Sequence, residues 1–100
     1  MERESYQIIN NETNLQFELS LNGDLAYLSY RYYKKDIALM HTFVPETLAG
    51  KGIASALAVH AFNFAKQKHK LIMVYCPFVS KFLKTHKEYE SQLNPAYRGR

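Results

Sequence analysis

Pro45-Glu46-Thr47-Leu48-Ala49-Gly50-Lys51-Gly52-Ile53-Ala54-Ser55 follows an apolar run and leads into a segment with helical periodicity. Pro45 has no N–H with which to continue a ladder, so a strand ends there. Gly50 and Gly52 allow backbone angles and close approaches that a Cβ forbids. From Ile53 the apolar residues recur at three- and four-residue spacing, which predicts a helix whose first N–H groups, from Lys51 to Ser55, form an open electropositive end. An anion belongs at such an end. The stretch reads as a phosphate cradle between a strand and a helix; the alternative is an ordinary loop before a helix.

Two other phosphate loops are excluded. The Walker loop requires Gly-x-x-x-x-Gly-Lys followed by Ser or Thr, whereas here Gly52 follows Lys51 and Ile53 comes next. The dinucleotide fingerprint needs a third glycine where Ser55 stands, within repeated strand-helix units that this chain lacks.

One hundred residues make one domain with a single core, and an apolar fraction of 47% excludes a disordered chain. Thirteen basic against nine acidic side chains give a net charge of +4. That surplus favours anionic ligands but is less than a nucleic-acid protein concentrates, so no nucleic acid is expected as partner. Cys76 is the only cysteine, which excludes an internal disulfide. The charged start from Glu2 to Glu4 lacks the apolar core of a signal peptide, and no segment approaches a membrane span. The expected compartment is the cytoplasm.

Working outward, residues 6 to 10 predict a short first strand, with a turn over Asn10 to Asn14. Leu15, Phe17, Leu19 and Leu21 alternate with polar residues and so share one face of a half-buried second strand. Asn22-Gly23 signals a hairpin into a third strand over Leu25 to Tyr33, whose tyrosines are expected to pack with wet hydroxyls. Ile37 to Val44 reads almost continuously apolar, a fourth strand covered on both faces, with His41 pointing alongside Ile37, Leu39 and Phe43. After the cradle, Ile53, Ala54, Leu57, Ala58, Ala61, Phe62 and Ala65 form the stripe of a helix ending near Lys66 to Lys70. Leu71 to Tyr75 is a buried fifth strand, parallel to the fourth because a long helix joins them. Pro77 opens a second helix that finishes near His86, and residues 94 to 100 form a loose tail. The result is an α+β fold in one domain over 1 to 93: four mostly antiparallel strands, a helix, a parallel fifth strand and a short C-terminal helix. A ligand enters such a sheet at its parallel step.

His41-Thr42-Phe43-Val44-Pro45, Gly50-Lys51-Gly52-Ile53-Ala54, Cys76-Pro77-Phe78-Val79 and His86-Lys87-Glu88-Tyr89, in this order and spacing, resemble the minimal branch of the GNAT superfamily of N-acetyltransferases. The match runs from Ile37 to Tyr89. The resemblance implies that acetyl-coenzyme A lies where the fourth and fifth strands splay, with its pyrophosphate on the N–H groups of Ala49, Gly50, Lys51, Gly52, Ile53 and Ala54. It implies a pantetheine arm along the backbone of Thr42, Phe43 and Val44. Ala49 stands where the superfamily loop carries Gln or Arg, removing one side-chain contact to the cofactor. The helices that wall the acceptor site in the superfamily are also missing between the first two strands, leaving that side open.

Acetyl transfer to an amine needs a neutral amine and a proton for the departing thiolate. Cys76, at a strand end opening into a helix N-terminus, is in a setting that favours reactive thiolate. Beside the thioester it is a candidate general acid or transient acetyl acceptor; the alternative is an inert core cysteine. His41 is the leading general-base candidate, against a hydrogen-bonded core histidine. Lys51 is a candidate phosphate contact, and Glu88 and Tyr89 read as a surface turn. His60, His69 and His86 lack metal-ligand spacing, so no metal is expected. Three functions follow: an acetyl-coenzyme A-dependent N-acetyltransferase for an amine acceptor, a non-catalytic acyl-coenzyme A-binding module, or an adaptor using its tyrosine-rich sheet. A monomer or weak dimer is expected.

Overall fold

The computed structural model describes residues 6–96. One sheet has the order β1-β2-β3-β4-β5, from Ile9–Asn11, Gln16–Leu21, Asp24–Tyr33, Asp36–Phe43 and Ile72–Val74. The first four strands are antiparallel neighbours and β5 lies parallel to β4. Helix α1 (Ile53–Gln67) packs across β2 and β3, and α2 (Pro77–Thr85) packs against β4 and β5. This is the expected α+β arrangement, with strand boundaries shifted by a residue or two except in β1, which starts at Ile9, three residues later than expected, so that Tyr6 precedes it.

The hairpin forms because Asn22 and Gly23 both take positive φ, 54° and 84°, which matches the right-handed twist of the flanking strands. Phe17 and Leu19 point from β2 into the core and are joined there by Ala26, Leu28 and Tyr30 from β3. From α1, the stripe Ile53, Leu57, Ala58, Ala61, Phe62 and Ala65 is buried against them. Burying a side chain such as Leu57 or Phe62 contributes about 1.5–3 kcal/mol. The helix stops where His69 takes φ 57° and the Lys70 N–H reaches back to the Ala65 carbonyl at 2.9 Å.

Tyr30 departs from the expectation of wet hydroxyls. It is 1% exposed, and its hydroxyl donates to Asn10 Oδ1 at 2.6 Å, linking β3 to β1 across β2. Burial, with a smaller contribution from Tyr32, pushes its hydroxyl up to about 12. Tyr32 and Tyr33 remain exposed.

The parallel pair is fastened at its start. Asp36 Oδ1 accepts the Leu71 N–H at 3.3 Å, and Oδ2 accepts from Asn94 Nδ2 at 2.8 Å. Asn94, at the head of the stretch read as a loose tail, is also held by its N–H on the Ile72 carbonyl at 2.9 Å. Residues 97–100 of that stretch lie outside the described residues.

Candidate active site

β4 and β5 are paired from Ile37 and Ile72 to Leu39 and Val74, and their last ladder bond runs from Tyr75 N–H to Leu39 O at 2.9 Å. Beyond it no further β4–β5 pair forms. On the other side of β4, Ser29 faces His41 but the next residue, Tyr30, faces Leu39, leaving Met40 as an extra residue in a β-bulge. One inserted residue reverses the alternation of everything after it.

That reversal corrects the expected direction of His41. Ile37 and Leu39 point into the core, but His41 and Phe43 emerge on the opposite face, beside Tyr27, with ring centroids at 6.1 and 5.6 Å. His41 is exposed. The burial expected on both faces of this strand holds from Asp36 to Leu39 and ends at the bulge. Thr42, paired with the buried Leu28, instead turns inward, and its Oγ1 lies 3.1 Å from Cys76 Sγ.

Cys76 is 1% exposed and is the residue from which α2 starts, with Pro77 in the first turn and the Ser80 N–H on the Cys76 carbonyl at 3.1 Å. Beside it an open groove of about 480 Å³ is walled by Tyr75, Pro77, Ser80, Lys81 and Lys84. The motif residues that follow α2, in and before a 3-10 turn over Lys87–Gln92, build packing. His86 stacks on Phe82 at 4.0 Å with its Nδ1 3.0 Å from the Phe82 carbonyl, which only accepts, so Nδ1 carries the hydrogen in that contact. Tyr89 stacks on Phe62 at 4.9 Å and is half-buried, while Glu88 is exposed.

The glycine loop leaves the C-terminal end of β4. A short 3-10 turn over Glu46–Leu48 buries Leu48, and Thr47 Oγ1 donates to Asp24 Oδ2 at 2.7 Å, fixing the loop to the β2–β3 hairpin. Gly50 and Gly52 then take φ 77° and 74°, a conformation that ordinary residues resist, which is the reason for glycine at both. No protein atom lies within 4 Å of a Cβ built on either. Gly52 caps α1 through its carbonyl, which accepts the Ala56 N–H at 3.0 Å. Among the described residues, the N–H groups of Gly50 through Ser55 have no backbone acceptor. Ala49 and Lys51 are exposed, and the Ile53 side chain is buried, so Ile53 offers the cradle only its N–H. Tyr6, which sequence reasoning missed, donates its hydroxyl to the Lys51 carbonyl at 2.7 Å.

Loop and thiol thus stand at the same end of the parallel pair, each just past its own strand, and Thr42 reaches from one strand to the other. His41 is brought to the opposite face. The polar pair His41-Thr42 in an apolar strand is the one trace of the bulge in the sequence. Among the described residues no three His, Cys, Asp or Glu side chains gather as a metal set, and no helix is long and apolar enough to cross a membrane.

A mixed sheet with one parallel step, and a donor-rich loop leading into a helix at the end of that step, define a GNAT-like architecture. Residues 16–93 match the model of the GCN5-related N-acetyltransferases, and the chain belongs to that family. Protein NATD1 of Xenopus tropicalis is 33% identical over 96 residues, spanning 91% of this chain and 88% of its own length. Protein NATD1 of Bos taurus is 39% identical over 85 residues, covering 80% and 75%. Protein NATD1 of Homo sapiens is 36% identical over 85 residues, with the same coverage.

Proposed function

We propose that the protein transfers an acetyl group from acetyl-coenzyme A to an amine acceptor, either a protein lysine or terminus or a small amine. The observation that carries this reading is the loop at the end of β4, whose N–H groups from Gly50 to Ser55 have no backbone acceptor among the described residues. Main-chain donors at the head of a 15-residue helix suit a pyrophosphate, and they make up for the side-chain contact that Ala49 lacks. Lys51, exposed in the same loop, adds a positive charge. The absence of a Cβ at Gly50 and Gly52 leaves room for phosphate oxygens to approach the backbone. The backbone of Thr42, Phe43 and Val44, beyond the last β4–β5 ladder bond, offers the line along which the pantetheine arm runs.

Acetyl-coenzyme A supplies an activated acyl group; the chain supplies placement and proton handling. As the C–N bond forms and the C–S bond breaks, the amine loses a proton and the departing sulfur gains one. We assign Cys76 Sγ, 3.1 Å from Thr42 Oγ1, to the sulfur: it gives its proton to the departing thiolate, or else it also takes the acetyl group as a thioester and is displaced when the amine attacks. We assign His41, exposed beside Tyr27 and Phe43, to take the proton from an amine arriving on that side. His41 and Phe43 are exposed there, so the acceptor meets the aromatic residues directly.

A second reading, an acyl-coenzyme A-binding module without turnover, is favoured by one observation: His41 and the Cys76 thiol lie on opposite faces of the sheet. Titration with coenzyme A combined with acetyl release over a panel of amines separates the two. Binding with turnover is expected; binding without any turnover selects the module, and no binding removes both.

A further inference from the structure

We propose that Tyr6 is a positioning residue for the cofactor cradle: by holding the carbonyl of Lys51 it aims the N–H of Gly52 toward the pyrophosphate. The inference rests on the acetyl-coenzyme A reading above and adds to it a side chain 45 residues away in the sequence, outside the glycine loop.

The Lys51 carbonyl and the Gly52 N–H belong to one planar peptide unit. There are no cis peptides among the described residues, so the two groups point in opposite directions, and fixing one fixes the other. The unit needs fixing because of its neighbours. Gly50 and Gly52 flank Lys51, and glycine leaves the backbone free to rotate on both sides. A half-turn of the 51–52 peptide plane would present a carbonyl oxygen where a donor is required, placing negative partial charge against phosphate.

The other restraints on the loop act elsewhere. Leu48 is buried and Thr47 is bonded to Asp24, both before Gly50, while the Ala56 N–H holds the carbonyl of Gly52, after the plane in question. Among the described residues, the bond from Tyr6 at 2.7 Å is the one hydrogen bond made by the main chain of Gly50 and Lys51. Tyr6 is itself half-buried with its ring packed against the core, so its hydroxyl is presented from a fixed base. The segment ahead of β1, at the far edge of the sheet from β5, therefore reaches the cradle and sets its polarity.

The test compares wild type with Tyr6→Phe, which keeps the ring and removes the donor. Amide resonances are followed during titration with coenzyme A and, separately, with S-acetylpantetheine, which has the thioester arm but no pyrophosphate. Tyr6→Phe is expected to weaken coenzyme A about 3- to 10-fold, the effect of one lost hydrogen bond, to leave S-acetylpantetheine affinity unchanged, and to displace the Gly52 amide resonance in the free protein. Wild-type affinity for coenzyme A in the variant overturns the proposal, as does an equal loss for both ligands, which would mark a general structural role. If wild type itself fails to bind coenzyme A, the cofactor reading falls, a result distinct from either.

Discussion

The hydroxyl of Thr42 and the thiol of Cys76 meet at 3.1 Å beyond the last β4–β5 pair, joining two strands no longer held by their backbones. The contact exists because Met40 is an extra residue in β4, which turns Thr42 inward and His41 outward. If the thiol serves the departing sulfur, Cys76→Ala lowers kcat by roughly 10²-fold, the lower end for a positioned acid, and Thr42→Val by a smaller factor in the same direction. Steady-state acetyl release with a reactive amine measures both. Full turnover in Cys76→Ala would remove the thiol from the mechanism.

Gly52→Ala separates backbone strain from ligand blocking. At φ 74° an added Cβ is destabilising by about 1–2 kcal/mol, although it meets no protein atom within 4 Å. A modest drop in thermal midpoint is expected, with a larger loss for the bulkier Gly52→Val in coenzyme A affinity. Unchanged affinity in Gly52→Val would mean that the phosphates sit elsewhere.

Tyr30 sets an alkaline limit on stability. Its hydroxyl is raised from the usual 10 to about 12 in the folded chain, chiefly by burial. Above pH 10 the unfolded chain releases this proton and the folded chain keeps it, so the stabilisation present below pH 10 is lost as pH rises toward 12. Denaturant titrations at pH 9 and 11 are expected to show a smaller difference in Tyr30→Phe. The same variant loses about 0.5–1.5 kcal/mol at neutral pH with the hydrogen bond to the half-buried Asn10. An alkaline limb of undiminished depth in Tyr30→Phe would assign it to other groups.

His60 acts at the acid end. Half-buried on α1 with its ring edge-on to Phe17 at 5.3 Å, it is held below the usual 6.5 by burial. As pH falls through 6.5 the unfolded chain takes up this proton before the folded chain does, so stability declines until both are protonated. Thermal midpoints at pH 7.5 and 5 are expected to differ less in His60→Gln than in wild type. An equal difference would show that His60 does not contribute.

Much of this was legible beforehand, for identifiable reasons. Phe17 and Leu19 alternate, Asn22-Gly23 admits few turns other than a hairpin, and the Ile53-to-Ala65 stripe has a helical period, so local chemistry and global fold agree at each. The loop was legible because positive φ leaves glycine as its mark. The direction of His41 was not, since a bulge inserts one residue without changing composition, and every side chain beyond it reverses. The partners of Tyr6, Tyr30 and Asp36 were equally hidden: hydrogen bonds over 45, 20 and 58 residues leave no local pattern.

Asp36 stands at the opposite end of the parallel pair from Thr42, where it gathers the Leu71 amide and the Asn94 side chain. With a pin at one end and a bulge at the other, β4 and β5 keep their backbone pairing only from the Asp36 end to Leu39 and Val74. An arm laid along the backbone from Thr42 to Val44 would meet groups that β5 does not already occupy, so neither strand would have to let go of its neighbour.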